Sequence, residues 1–297
     1  MTKNKETLPM VSVIIPSYNH DKFISDSVIS IINQTYSNLE LIVIDDGSTD
    51  NSINILKDLQ LKFGFILKFQ QNCGVSYTLN RAIKEFATGK YVSFCSSDDY
   101  FHPQKIEKQV KYLEEHSNFP MCYSMIHEVT KDGKIKKNND NNKLKEGHIF
   151  KDILLQKFHP PVSYFFKKKI FNEVGYYRED ILTEDYLMNL RLSFKHPIGF
   201  IPEKLYYYRV GNAAPKNQDA SDYQYYVSQS HLKCILEFKE SNHFPEAIRE
   251  WNYRNFRSFA PYKKYKLNAI TALFRCVKYV FRFRFWKSLL HLIFFWK

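Results

Sequence analysis

Apolar residues follow two periods along this chain. Short unbroken runs, Val11-Ser12-Val13-Ile14-Ile15, Leu41-Ile42-Val43-Ile44, Phe65–Phe69 and Tyr91-Val92-Ser93-Phe94-Cys95, read as strands buried on both faces. Between them the apolar positions recur at helical spacing: Ile24, Val28, Ile31 and Ile32, then Ile53, Leu56, Leu59 and Phe63, then a segment from about Ser76 to Ala87. Such alternation predicts an α/β fold, a mostly parallel sheet with helices on both faces. Beyond it the pattern predicts a helix from Pro103 to about His116 and a strand from Met121 to Val129, followed by a turn at Lys131–Lys134. Pro160 to Phe166 reads as extended, Lys169 to Val174 as a short helix stopped by Gly175, and Tyr206–Arg209 as a strand. A further helix opens at Thr183 or Glu184. Lys136 to Lys145, rich in Lys and Asn, reads as a solvated mobile loop, and Gly211 to Asp222 as a linker. The expected domains are therefore residues 1–215 and a helical extension, 216–297.

Each early strand runs into a polar loop: Pro16–Asn19, Asp45–Asp50, Gln71–Gly74 and Ser96–Asp99. Ligands of open α/β sheets bind at the carboxyl ends of the strands, so these four loops are the candidate site. Two of them hold adjacent carboxylates, Asp45-Asp46 and Asp98-Asp99. One such pair is commonly only a turn or a cap. Two pairs at the same sheet end favour a site, and oxygen pairs suit a hard divalent cation. Glu184-Asp185 stands at a helix start, where the dipole favours ionised acids; a plain acidic cap is the alternative. Neither GxGxxG nor GxxxxGK[ST] occurs in the loops, so a phosphate there is expected to be held through a metal and not a glycine cradle.

Composition adds three points. Five cysteines without a CxxC pair argue against a zinc site or a disulfide framework and fit a reducing compartment. The stretch Met1–Pro9 has no signal-peptide core, and no run of 18 apolar residues suggests a spanning helix. The net charge of +12 lies almost wholly in residues 251–297, which hold 11 Lys and Arg and no acid; the rest carries 32 basic against 31 acidic residues.

The ordered series Val11-Ser12-Val13-Ile14-Ile15-Pro16-Ser17-Tyr18-Asn19, Ile44-Asp45-Asp46-Gly47-Ser48-Thr49-Asp50, Asn72-Cys73-Gly74, Ser97-Asp98-Asp99 and Glu184-Asp185 resembles the family 2 glycosyltransferases of GT-A fold, over roughly residues 9–212. The resemblance implies an inverting, metal-dependent transfer from a nucleotide-sugar, most suitably a UDP-sugar, to a glycan or lipid-linked acceptor in bacterial cell-surface glycan synthesis. By position it implies that Pro16, Tyr18, Asp46, Asn72, Gly74 and Asp98 bind the nucleotide-sugar, with Asp46 on the base and Tyr18 stacked against it. It further implies that Asp99 holds Mn2+ or Mg2+, that Asp185 is the general base and that Glu184 supports it. Three departures stand out. The strand ending at Arg209 is followed by Val210-Gly211-Asn212 and not by a metal-ligating histidine, so water or Asn212 is the expected substitute. Arg81 stands later than the arginine that relatives carry after the Asn72-Gly74 element. The QxxRW of processive synthases is missing, which favours single additions. A catalytically impaired nucleotide-binding or scaffold protein of the same fold is the alternative.

The tail interleaves cations with Trp251, Trp286, Trp296 and many Tyr and Phe. That composition suits attachment to the inner leaflet of the cell membrane from the cytoplasmic side. A homodimer through the C-terminal helices competes with it, and no nucleic-acid module is visible. At 100° per residue Arg275, Lys278 and Arg282 share one stripe, whereas Arg284, Lys287 and His291 lie nearly opposite, so a break is expected at Phe281–Phe285.

Overall fold

The computed structural model describes residues 8–136, 144–211 and 219–294. Most of the Lys- and Asn-rich stretch and of the linker, Asn212 included, lies outside them, as does Trp296. In chain order the elements are β1 (Val11–Ser17), α1 (Ile24–Ile32), β2 (Leu39–Asp45), α2 (Ser52–Phe63), β3 (Ile66–Phe69) and α3 (Val75–Arg81), which a π-helical turn continues over Ala82–Phe86. There follow β4 (Tyr91–Phe94), β5 (Tyr100–Phe101), α4 (Lys105–Glu115), β6 (Met121–Val129), α5 (Phe150–Leu154), β7 (Phe165–Lys167) and α6 (Ile170–Val174). The last are α7 (Glu184–Lys195), β8 (Gly199–Arg209), α8 (Ala220–Leu236), α9 (Phe244–Phe259), α10 (Lys266–Arg275) and α11 (Phe283–Phe294).

The chain divides into two units. One comprises residues 1–149, 160–179 and 191–213, the other 150–159, 180–190 and 214–297. The first holds an eight-stranded sheet of order β3-β2-β1-β4-β7-β6-β8-β5. Its β3-β2-β1-β4 half is parallel, as the unbroken apolar runs require. Past β4 the sheet is mixed: β7 is antiparallel to both β4 and β6, and β5 to β8. "Mostly parallel" thus describes one half. The two-residue β5 is too short to leave a pattern. The α1 face places Ile24, Val28 and Ile31 against a core of Val13, Ile15, Val43, Leu56, Tyr91, Ile106, Phe165 and Tyr206.

The second unit has its own core of Tyr253, Phe256, Phe259, Tyr265, Ala269, Cys276, Phe285 and Leu292. Much of the tail's aromatic content is therefore packing. The tail breaks where its charge stripe changes face: α10 stops at Arg275, a 3-10 turn spans Val277–Tyr279, and α11 starts at Phe283. No helix among the described residues is long and apolar enough to cross a membrane.

One polar residue in the core is unanticipated by pattern. Lys105, at the start of α4, is fully buried, donating to Ser93 Oγ (2.9 Å) and Gln109 Oε1 (2.6 Å) with its ammonium 4.1 Å from the Phe101 ring centre. Burial pushes it down to about 7. Because the unfolded lysine titrates at about 10.4, the unfolded chain binds more protons between these values, and stability must rise with pH across that window. Urea unfolding is expected to show the native chain gaining about 2 kcal/mol from pH 7 to 9 relative to Lys105→Met, which lacks the titrating group. Equal pH slopes in the two proteins would remove the buried ammonium from this role.

Candidate functional site

β1 and β2 pair in register from Val11↔Leu39 to Ser17↔Asp45, so the loops that follow them leave from the same sheet edge. Asp45 is buried and accepts from Ser17 Oγ (3.2 Å), the Ser48 N–H (2.9 Å) and Ser48 Oγ (2.7 Å). It holds its own turn closed. Gly47 is needed there: its φ is +79°, and a Cβ would stand 3.0 Å from the Asn72 nitrogen. Asn19, itself at φ +53°, accepts from the Thr49 N–H through Oδ1 at 2.7 Å and joins the first loop to the second.

Asp46 joins the second loop to the third. Its Oδ1 accepts from Gln70 Nε2 (2.7 Å) and the Cys73 N–H (2.8 Å), and its Oδ2 from the Gly74 N–H (2.8 Å). A carboxylate offers about four acceptor positions, so three donors leave one for a ligand N–H. A cleft of about 450 Å³ opens over these loops. Pro16, Tyr18, Asp46, Asn72, Gly74 and Asp98, the six residues expected around a nucleotide-sugar, all line it. The half-exposed Tyr18 ring supplies an apolar face. His20 and Ser97 also line it, with His20 Nδ1 and Ser97 Oγ 2.7 Å apart. From pattern alone His20 is only part of a polar cluster at a strand end.

The fourth loop separates its two carboxylates. Asp98 is partly exposed and borders the cleft. Asp99 is 1% exposed and faces the other way: Oδ1 accepts from the Arg209 N–H (2.7 Å) and Oδ2 from the Tyr206 hydroxyl (2.8 Å). Burial, then the Asp98 charge, pushes Asp99 up to about 7 against the pull of those two donors. Arg209 also donates through Nη1 to the Asp98 carbonyl (2.5 Å) and through Nη2 to Asp26 (2.9 Å). The end of β8 thus bolts the loop in place. Asp99, expected to hold the metal, has two oxygens that each accept one bond from β8; the acid that lines the cleft is Asp98. Arg81 is engaged elsewhere, donating to Gln70 Oε1 (2.9 Å) and Glu85 (3.2 Å).

In the second unit Glu184 and Asp185 open α7, with Leu182 and Thr183 tied to Ser230 Oγ on α8 (2.9 Å each). Asp185 Oδ1 accepts from the Tyr186 N–H (2.7 Å), and Oδ2 lies 3.6 Å from His159 Nε2. Burial, and next the Asp185 charge, raises Glu184 above the usual carboxylate range. Such a pair divides into one acid readily protonated and one partly exposed acid.

Among the described residues no three His, Cys, Asp or Glu side chains gather as metal ligands. The donor set at the cleft, the Asp98 carboxylate beside the Ser96 and Ser97 hydroxyls, nevertheless suits Mg2+ or Mn2+. Such ions are commonly held by one or two carboxylates, substrate phosphates and water.

Residues 12–175 match the sequence model of the family described as "Glycosyl transferase family 2". An uncharacterised glycosyltransferase of Haemophilus influenzae is 32% identical over 251 residues, covering 78% of this chain and 74% of its own length. The minor teichoic acid biosynthesis protein GgaB of Bacillus subtilis is 31% identical over 67% of this chain, which spans 23% of that much longer protein. Among solved structures, residues 1–349 of S. aureus TarS in complex with UDP-GlcNAc superpose with a TM-score of 0.66 at 19% identity, over 91% of this chain and 81% of that one. That likeness is one of fold, and the fold is α/β of GT-A type.

Proposed function

This chain belongs to glycosyl transferase family 2, and from that premise we propose that it transfers a sugar, with inversion, from a UDP-sugar to a hydroxyl of a glycan or lipid-linked glycan. The observation that carries the reading is the convergence of six residues from four strand-end loops on one cleft. Tyr18 stacks on the uracil and Asp46 accepts its N–H with the remaining lone pair. Asn72 and Gly74, in the loop that Asp46 fixes, border the nucleoside. Asp98, with Ser96 and Ser97, would hold a divalent cation beside the diphosphate, and the chemistry such a cation would supply there is positive charge against that of the leaving UDP. Asp99 shapes the loop from behind. Asp185 takes the acceptor proton as the oxygen attacks the anomeric carbon, and Glu184 supports it. The nucleotide-sugar in the TarS complex and the teichoic acid role in GgaB's name support a UDP-sugar donor and a cell-surface acceptor.

We place this chemistry at the cytoplasmic face of the cell membrane, with residues 251–297 as the attachment. Phe281 (96% exposed), Phe283 (82%) and Phe274 (75%) stand among Arg275, Arg282 and Arg284, a pairing suited to anionic headgroups. A second copy of the chain docking on these helices is the competing occupant of that face. The run Val210-Gly211-Asn212 where relatives carry a metal-ligating histidine favours a second reading, a nucleotide binder without turnover. A panel of nucleotide-sugars with glycan acceptors, read by nucleotide release, separates the two. UDP release dependent on Mn2+ or Mg2+ and abolished by EDTA is expected. UDP binding without release on every donor and acceptor would leave only the binder.

A further inference from the structure

The second unit contains a cavity of about 350 Å³ whose chemistry the transfer reading leaves unused. Its lining includes Gln156, His231, Trp251, Arg254 and Arg257 and no acidic residue. Arg254 spends Nη2 on the carbonyls of Gln156 (2.6 Å) and Leu155 (3.3 Å), while its Nε is buried without an acceptor. The Gln156 amide also lines the cavity, beside the Tyr186 hydroxyl. Arg257 lies over the Tyr253 ring at 5.5 Å, and among the described residues no carboxylate stands in ion-pair range of it. Native interiors rarely leave donors unmatched, and an unmatched donor usually marks a place for water, an ion or a ligand oxygen.

The backbone gives a second, independent sign. Gln156 has φ +52°, a left-handed conformation costly for a side-chain-bearing residue. The carbonyl that Arg254 grips is this residue's own, so the strain is held in place from the cavity wall. Trp251 is fixed by its indole N–H to the Ser228 carbonyl (2.9 Å), which leaves its ring as a flat apolar face in the lining. Two guanidinium groups, one of them with an unmatched donor, and an indole face suit a sugar or polyol that carries an oxyanion.

The cavity also neighbours the acid pair within this unit. The Tyr186 ring meets His231 edge-on at 4.7 Å, and Tyr186 directly follows Asp185. Burial pushes His231 down to about 4, so it is neutral here and adds no charge that would obscure the arginines.

We propose that this cavity is an acceptor subsite for an oxyanion-bearing unit of an acidic glycan, a phosphate on a polyol or the carboxylate of a uronic acid. The assignment rests on the transfer reading for the word acceptor, but its test does not require turnover. Calorimetry on the full chain should show glycerol 3-phosphate or glucuronate binding where glycerol does not. The arm that binds more tightly identifies the oxyanion. Arg257→Ala should weaken that binding at least about tenfold, the loss expected for one charge-assisted hydrogen bond. Gln156→Gly, which suits φ +52° and removes the amide, should also weaken it. A melting temperature close to that of the native chain checks that each variant is folded. Glycerol binding as well as its phosphate, neither anion binding, or full affinity in folded Arg257→Ala would each overturn the proposal. Oxyanion binding in a chain that releases no UDP from any donor would keep the subsite and remove the transfer reading.

Discussion

Asp185→Asn is expected to lower turnover about 10³-fold and to leave UDP affinity unchanged. Positioned general bases contribute roughly 10²–10⁴ in rate, and the amide keeps the shape while losing the basic lone pair. The local structure should tolerate the change. The Tyr186 N–H now donates to Oδ1, and an amide oxygen can accept the same bond. His159 stands 3.6 Å from the other oxygen, outside hydrogen-bond range, so no strong ion pair is lost. Glu184 cannot take over at neutral pH without cost, because burial and the neighbouring charge favour its protonated form. Removing the Asp185 charge lowers that barrier, so Glu184 sets the ceiling on residual activity, and Glu184→Gln in the Asp185→Asn background should remove most of what remains. Steady-state UDP release, with UDP binding measured in parallel, reads both quantities. Turnover near the native rate in Asp185→Asn would take the base away from this residue.

The second large effect separates the adjacent acids. Asp98→Ala should fold normally and lose at least about tenfold in metal-dependent UDP affinity, about 1.4 kcal/mol. Asp99→Ala should instead destabilise the fold by about 3 kcal/mol, since it orphans the Arg209 N–H and the Tyr206 hydroxyl at once. Urea unfolding and calorimetry on both variants give the two quantities. The opposite assignment, in which Asp99 carries the metal, requires the larger affinity loss in Asp99 variants that still fold.

That division explains how far the sequence reached. β4 ends at Phe94, Asp98 lies in the turn that follows and Asp99 is drawn to the end of β8, so the two adjacent carboxylates meet different surroundings. The pattern located the pair but could not say which member faces inward; β8, more than 100 residues later, decides it through Tyr206 and Arg209. The same holds for Asp45-Asp46, where one acid closes its turn and the other ties the next loop. The strands β1, β2 and β4 were legible because burial on both faces leaves an unbroken apolar run. The mixed half of the sheet was not, because β5 and β7 are two and three residues long and draw their direction from partners. Gln156 left no trace in composition or period. Residues 150–159 cluster with the distant tail through packing alone, beyond any single cut near residue 215.

Isothermal titration of UDP into the full chain with and without Mn2+, repeated on Asp98→Ala, tests the donor cleft most directly. The expected result is tight binding that needs the metal in the native chain, with that metal dependence lost in the variant. UDP affinity indifferent to Mn2+, or unchanged in folded Asp98→Ala, would contradict it.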